Sequence, residues 1–370
     1  MIGGETAVDL VRAVALALGV FAVGATALPL VFPRAKTWHV RIFDFPRIQV
    51  AFIGGVAVLL ALLVEGGIHW PWVLLPAVTL AAVAYQAVRI WRYLPLSPRE
   101  VERSEHADAR SSLTLVLSNV LQDNREAERV IRTIREADPD VMVFVETDEW
   151  WRERLDVFMS THPHALRWPQ SNTYGMCIYS RLPLEEPRTD FLIEEDVPSM
   201  QAKVRLESGQ RVWLNSVHPQ PPAPGEHDSS VERDAELVLV ARRVKDAGIP
   251  VIVCGDLNDV AWSRTTRLFQ KISGLVDPRK GRGMYSTFHA RYPFLRYPLD
   301  HVFHSPDFRL VELRRLSYVG SDHFPVCVRL SHEPDAAAHQ EAPDGDHGDE
   351  KEGDEIVSEA RQRQAGPASA

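Results

Sequence analysis

Six short apolar runs each border on a polar residue of a type that does chemistry: Asn119, Glu146, His218, Asp256 with Asn258, Asp300, and Asp322 with His323. Carboxylate and amide oxygens are hard ligands for a divalent cation, a carboxylate can direct or remove a proton, and an imidazole can meet a phosphate oxygen. Together they suit metal-assisted hydrolysis. Singly, each has a plainer reading: a turn asparagine, a solvated strand-end carboxylate, an Asx-rich turn at Gly255–Asp259, a cap or turn at Ser321–His323. Their joint occurrence in this order carries the chemical reading.

For these residues to act together, strands must deliver them to one rim of a sheet. Runs of β character stand at 113–119, 141–146, 175–180, 200–206, 211–218, 251–258, 299–303 and 324–330. Residues 124–138 carry a helical stripe through Val130, Ile131, Ile134 and Ala137, and Asp228–Gly248 reads as a second long helix with a glycine stop. Many strands and few helices over 111–330 predict an α+β domain of packed sheets with helices outside. Residues 94–110 read as a polar linker. Residues 331–370, with three Lys/Arg against eleven Asp/Glu and no apolar period, are expected to be a disordered acidic tail.

The first ninety-three residues are of another kind. Ala13–Phe32, Ile48–Val64 and Pro71–Val88 are apolar runs, and a bilayer core of about 30 Å takes a helix of roughly 17–25 such residues. They predict three transmembrane helices, with Glu65–Trp70 as a turn and Trp38, Trp70, Trp72, Trp91 and Tyr93 near the span ends. A cleaved signal peptide is the alternative for the first run; Glu5 and Asp9 at its start oppose it. Arg34, Lys36, Arg41 and Arg47 before span two, and Arg89, Arg92, Arg99 and Arg103 after span three, place the C-terminal domain on the cytoplasmic side by the positive-inside bias.

Over 370 residues the net charge is −9, with +3 in 1–103, −4 in 104–330 and −8 in 331–370. This excludes a uniformly soluble globule and a strongly basic nucleic-acid binder. Cys177, Cys254 and Cys327 lie in apolar runs and read as buried thiols, which excludes a disulfide-stapled miniprotein.

The pieces LSNV, DPDVMVFVE, NSVHPQPP, CGDLND, YPLDHVF and SDHFPV, in this order over about 110–330, resemble the endonuclease/exonuclease/phosphatase superfamily. That superfamily includes DNase I-like nucleases, abasic-site endonucleases, neutral sphingomyelinases and inositol-polyphosphate phosphatases. The resemblance implies a four-layer α/β/β/α sandwich, here preceded by three transmembrane helices. With that leader the chain is similar in layout to the bacterial membrane-anchored branch, whose hydrolase domain lies outside the cytoplasm, opposite to the charge count. Carried over, Glu146 is the main Mg²⁺ ligand (Mn²⁺ being the alternative), helped by Asn119 and Asp322. Asp256 orients or deprotonates the attacking water and Asn258 holds the phosphate. His323, fixed by Asp300, meets a phosphate oxygen as imidazolium, and His218 donates to the phosphoryl oxygen that gains charge.

The expected activity is that of a membrane-anchored, metal-dependent phosphoesterase of the bacterial cell membrane. Its substrate is a phosphate ester or phosphodiester, lipid-linked because such a substrate shares the enzyme's plane. A tethered nuclease is the alternative, disfavoured by the acidic domain. A non-catalytic membrane scaffold is the alternative of another class, opposed by the presence of Glu146, Asp256 and His323. His162 and His164 read as an exposed turn, and His227-Asp228 as a helix cap. Ser118 lacks a nucleophile elbow. Arg279, Lys280 and Arg282 with Tyr285, Phe288, Tyr292, Phe294 and Tyr297 form a basic–aromatic stretch with three open readings: nucleic-acid contact, headgroup contact, or packing on the sheet.

Overall fold

The computed structural model describes residues 2–63, 70–223 and 227–365. The chain divides into two units, one ending at Leu94 and the other beginning at Pro95. The first contains α1 (Ile2–Val31), α2 (Trp38–Arg41), α3 (Arg47–Leu63) and α4 (Trp70–Trp91). Two stretches, Thr6–Val31 and Val73–Trp91, are long and apolar enough to cross a membrane; α2 and α3 qualify only as a pair bent by 72°. The expected second span, Ile48–Val64, coincides over its described residues with the unbroken α3, and the bend lies ahead of it, between Asp44 and Arg47. Close helix packing depends on small residues: a side-chain carbon on Gly54 would stand 2.7 Å from Val83 and 3.3 Å from Ala22. Inside this unit Arg47 donates to Gln86 Oε1 (2.8 Å), Gln86 donates to Thr26 Oγ1 (2.9 Å), and Arg47 pairs with Asp44. Polar groups buried among apolar helices require partners of this kind. The turn expected at Glu65–Trp70 falls, Trp70 apart, outside the described residues.

The second unit runs β1 (Ser112–Asn119), α5 (Ala127–Ala137), β2 (Val141–Val145), α6 (Glu149–Leu155), β3 (His164–Trp168), β4 (Met176–Ser180), β5 (Leu184–Asp190), β6 (Ser199–Arg205) and β7 (Arg211–Ser216). It continues with α7 (Val231–Lys245), β8 (Val251–Asp256), α8 (Arg264–Ser273), β9 (Asp300–His304), β10 (Phe308–Arg315), β11 (Val326–His332) and α9 (His347–Gln364). The strands form a six-stranded sheet in the order β10-β11-β1-β2-β4-β3 and a five-stranded sheet in the order β5-β6-β7-β8-β9. Two pairs are parallel, β1 with β2 and β7 with β8; each is joined through a helix, as a parallel pair requires.

Strand alternation builds four layers. Leu113, Leu115, Leu117, Val143 and Val145 of the larger sheet meet Met200, Val204, Leu214, Ile252 and Val302 of the smaller one in a single core. The other face of the larger sheet, with Val116, Met142 and Phe144, is covered by Val130, Ile131 and Ile134 of α5 and Trp151 of α6. The other face of the smaller sheet, with Val251, Val253 and Phe303, is covered by α7, α8 and α9. Strands buried on both faces explain the nearly continuous apolar runs in the sequence. The expected α/β/β/α sandwich is present.

Two expectations are corrected. Of the tail expected to be disordered at 331–370, residues 331–365 are ordered: β11 continues to His332, and α9 packs Ile356, Val357 and Ala360 into the apolar layer over the smaller sheet. Asp346 and Asp349 form a reciprocal capping box at its start, and its acidic side chains pair with Lys271 (2.9 Å), Arg242 (2.8 Å), Lys245 (2.6 Å) and Arg264. Residues 94–110 are not a free linker. Val101 is buried, Glu100 pairs with Lys280 (2.7 Å), and the backbone of 102–104 exchanges hydrogen bonds with Leu310. The edge strands β3, β5 and β10 escape the sequence reading because most of their side chains are only partly buried or exposed and form no continuous apolar run.

Candidate functional site

Topology explains why the six positions meet. Parallel β1 and β2 end at the same edge, carrying Asn119 and Glu146; parallel β7 and β8 do likewise, carrying His218 and Asp256. β9 runs antiparallel to β8, so its first residue Asp300 pairs with Asp256. β11 runs antiparallel to β1 and starts opposite Leu117, which brings the preceding Asp322 and His323 to the same rim. Two glycines permit the crowding. A side-chain carbon at Gly255 would stand 1.8 Å from the Val217 carbonyl oxygen, and one at Gly175 would stand 1.9 Å from that of Thr147. Glu146 and Asn258 hold positive φ values of 60° and 50°, strain of the sort that gathers at functional sites.

Asp256 is the hub. Its Oδ2 accepts from Asn119 Nδ2 (3.0 Å) and faces His323 Nε2 (3.4 Å), while its Oδ1 accepts from the Asn258 backbone N–H (3.0 Å). Its carbonyl oxygen accepts from His218 Nδ1 (3.2 Å), an acceptor that requires the proton on that ring nitrogen. Asn258 Nδ2 donates to the Pro219 carbonyl (2.9 Å), and Tyr174 lies beside His218 with ring centroids 5.8 Å apart.

His323 Nδ1 donates to Asp300 Oδ2 at 2.7 Å, so the ring is held between two carboxylates. Burial alone would lower its pKa, but Asp300 and Asp256 override it and raise the imidazolium to about 10. His323 is therefore a cation at neutral pH. One ligand atom each from Asp256, Asp300 and His323 lies within 4.8 Å of the others, the spacing of a metal site. Glu146 and Asp322 stand beside this cluster as further carboxylate donors. Asp300 Oδ1 is buried and accepts no hydrogen bond among the described residues.

Glu146 Oε1 accepts from Asn119 Nδ2 (2.7 Å) and Oε2 from the Gln122 backbone N–H (3.3 Å). Burial pushes the Glu146 carboxyl up, against the pull of His218, Asn119 and His323, and the Asp322 charge adds to the rise. Two hard carboxylates that disfavour each other's charge fit a divalent cation, which would relieve both burial and repulsion. Asn119 is oriented otherwise than expected. Its oxygen accepts from Leu121 N–H (2.9 Å), so its NH₂ faces Glu146 and Asp256 and braces them.

Several supporting residues were not singled out by sequence. Arg233, almost wholly buried, donates to the Asn258 carbonyl (2.7 Å) and pairs with Asp234 and Asp259. Thr287 Oγ1 accepts from the Asp300 backbone N–H (3.3 Å), and the ring of Phe288, which the sequence places in the basic–aromatic stretch, lies 5.0 Å from that of His323. Of the basic–aromatic stretch, Arg279 is buried against Asp277 (2.8 Å) and donates to the Asp300 carbonyl (3.2 Å) and His301 Nδ1 (2.7 Å). Lys280 pairs with Glu100, and Arg282 donates to the Val101 carbonyl (2.6 Å). These three cations are thus used within the fold. His162 is buried and bonded to the Pro139 carbonyl (2.8 Å), contrary to an exposed turn. The residue preceding α7 is Ser230, so His227 and Asp228 do not cap it. All three cysteines are buried thiols.

Residues 116–323 match the model of the Endonuclease/Exonuclease/phosphatase family. The fold is similar to the crystal structure of an endonuclease/exonuclease/phosphatase from Beutenbergia cavernae, 20% identical with a TM-score of 0.50, covering 60% of this chain and 72% of that one. It is likewise similar to the protein of that family from Bacteroides vulgatus (17%, TM-score 0.50, 60% and 100% covered). D. rerio TDP2, solved in complex with a single-strand DNA product, matches at 18% (TM-score 0.50, 60% and 99% covered). At these identities the likeness is one of fold. No curated protein matches the chain. The family match spans more than half of the sequence and encloses every residue of the rim, and the chain belongs to the endonuclease/exonuclease/phosphatase family.

Proposed function

We propose that this chain is a membrane-anchored, divalent-metal-dependent phosphoesterase acting on a lipid-linked phosphate ester or phosphodiester. The observation that carries the reading is the imidazolium of His323 held between Asp300 and Asp256 at one rim, beside Glu146 and His218. Asp256, with its other oxygen occupied by the Asn258 N–H, orients the attacking water and takes its proton. His323 presents fixed positive charge to a phosphoryl oxygen, and Asp300 holds its ring in place. His218, its Nδ1–H held by the Asp256 carbonyl, donates to the oxygen that gains charge from a second protonated nitrogen, Nε2. Asn258 bounds the phosphate from the strand-end turn. Glu146 and Asp322 would hold Mg²⁺ or Mn²⁺; such an ion, when bound, neutralises charge on the phosphoryl group and the leaving oxygen. Asn119 keeps the Glu146 and Asp256 carboxylates at their separation.

The two or three apolar helices of the first unit support anchoring, and anchoring favours a substrate that diffuses in the bilayer plane. The test is hydrolysis by the full chain in detergent of a chromogenic phosphodiester and phosphomonoester, with Mg²⁺ and with chelator. Metal-dependent turnover is expected. No turnover on any phosphate ester would return the chain to the scaffold reading; turnover of plasmid DNA but not of lipid phosphates would make it a nuclease.

A further inference from the structure

Beside the rim stands a short hairpin whose root and tip differ sharply in character. At the root, Thr287 and Phe288 donate to the Tyr297 carbonyl (3.0 and 3.1 Å), and His289 donates to that of Leu295 (3.0 Å). The root is built into the reaction centre: Ala290 N–H donates to the Asp322 carbonyl (2.6 Å), and Phe288 lies against His323. The tip is Arg291-Tyr-Pro-Phe-Leu-Arg296. Tyr292, Phe294 and Leu295 are 58%, 86% and 51% exposed, the densest run of exposed large apolar side chains in the second unit among the described residues.

Isolated exposed apolar residues are ordinary; three within four positions, at the end of a projecting turn, are not. The flanking arginines are held in place. Arg291 donates to the Tyr318 hydroxyl (3.1 Å) and the Gly320 carbonyl (3.0 Å); Arg296 donates to the Ala290 carbonyl (3.0 Å) and lies over the Phe324 ring. These hydrogen-bond partners are neutral, so the bonds fix the positions of the two charges, with Asp322 the acidic group within electrostatic reach of Arg291. An aromatic and aliphatic tip between two fixed cations matches the section of a bilayer surface, with acyl chains below and phosphates beside. Three side chains are too few for a stable protein–protein interface, which buries on the order of 1,600 Å². The same chain carries helices able to cross a membrane, so a bilayer is within covalent reach.

We infer that the tip at 291–296 inserts into the surface of a phospholipid bilayer and seats the rim against it. The inference rests on the phosphoesterase reading and narrows it: the phosphate reaches His323 and Asp256 from a lipid still resident in the membrane. Three buried native cysteines leave a single introduced one open to labelling. The full-length Phe294→Cys variant, carrying an environment-sensitive thiol dye, is reconstituted in phosphatidylcholine–phosphatidylglycerol vesicles with acyl-brominated lipid. A Glu207→Cys variant labels an exposed turn at the far end of β6 as reference.

Bromolipid is expected to quench the dye at 294 and to spare the dye at 207; equal quenching at both, or none at 294, overturns the inference. Protection of the 294 dye by a single-stranded oligonucleotide and not by vesicles assigns the tip to nucleic acid and also overturns it. In a second arm the triple variant Tyr292→Ser, Phe294→Ser, Leu295→Ser is expected to hydrolyse a vesicle-embedded phosphate ester at least roughly tenfold more slowly than the unaltered chain, since each side chain loses its apolar transfer to lipid. It should keep the unaltered rate on a soluble chromogenic ester. Equal rates on vesicles overturn the inference while leaving the phosphoesterase reading intact. Absence of all ester hydrolysis in the unaltered chain removes that reading, and the quenching arm still decides the tip.

Discussion

The rim and the polar network directly beneath it bury the same residue types to opposite effect. At the rim, Glu146, Asp256, Asp300 and Asp322 gather around one permanent side-chain cation, His323, and Asp300 Oδ1 accepts no bond among the described residues. Beneath it, Asp277 faces Arg279, and Asp234 and Asp259 face Arg233. Burial alone would raise Asp277, but the Arg279 guanidinium overrides it and holds the carboxyl below its usual range. Each carboxylate of the lower network has a guanidinium beside it, whereas the rim sets one imidazole among four carboxylates. A site built for a metal ion and a phosphate needs such an imbalance, because its ligands complete the charge. The network below has nothing to bind and serves to position: Arg279 reaches the Asp300 carbonyl and Arg233 the Asn258 carbonyl.

The largest break of this comparison is at the rim. Asp256→Ala and His323→Ala are each expected to lower kcat by about a thousandfold or more, the usual scale for a general base or a preorganised charge. For Asp256→Ala the thermal midpoint of the full chain in detergent should change little, or rise, because removing a like charge relieves a crowded cluster, whereas His323→Ala leaves Asp256 and Asp300 without their cation and should lower it while the chain still folds. A rate loss matched by loss of the folded state would deny the rim its separate role.

The network should respond in the reverse sense. Arg279→Met leaves Asp277 buried without its guanidinium and leaves the Asp300 carbonyl and His301 Nδ1 without a donor. Breaking a buried pair from one side costs about 3–5 kcal/mol, so the thermal midpoint should fall by many degrees. Rate loss should follow from displacement of Asp300 and be smaller than in His323→Ala. A variant as stable as the unaltered chain would show that the network is not what holds the rim.

How legible was this division in the sequence? The rim residues were readable because each is a reactive type beside an apolar strand, and a parallel–antiparallel topology gathers such ends. Their partners were not readable. Asn119 is the right residue in the right place, yet its amide orientation depends on the Leu121 N–H, a bond two residues away that no pattern specifies. Arg279 belongs to a stretch whose sequence leaves three roles open, because its burial depends on Asp277 and on His301, one nearby and one distant. The helix α9 was missed for a related reason. Only Ile356, Val357 and Ala360 mark its buried side, and its acidic residues find Arg242, Lys245, Arg264 and Lys271 across 78 to 112 positions. Charge complementarity that distant is invisible to local composition, which by itself spoke for disorder.

A third buried acid sharpens the contrast, since it has neither a bound-ligand role nor a guanidinium partner of the Asp277 kind. Glu236 on α7 is fully buried and accepts from Ser199 Oγ of β6 at 2.6 Å. Burial pushes its carboxyl up to about 7, against the Ser199 bond, with the nearby Glu194 charge adding to the rise. A carboxyl raised in the folded state stabilises the fold fully below its unfolded pKa of about 4.5 and loses that contribution as pH climbs through about 7. The thermal midpoint of the unaltered chain should therefore decline across that window. Glu236→Gln keeps an acceptor for Ser199 and removes the ionisation, so its profile should be flatter there and its midpoint higher at neutral pH, by an amount equivalent to about 3 kcal/mol at most. Parallel profiles for the two proteins would mean that Glu236 is already charged in the folded state, and that a buried acid in this sandwich needs neither ligand nor guanidinium to be tolerated.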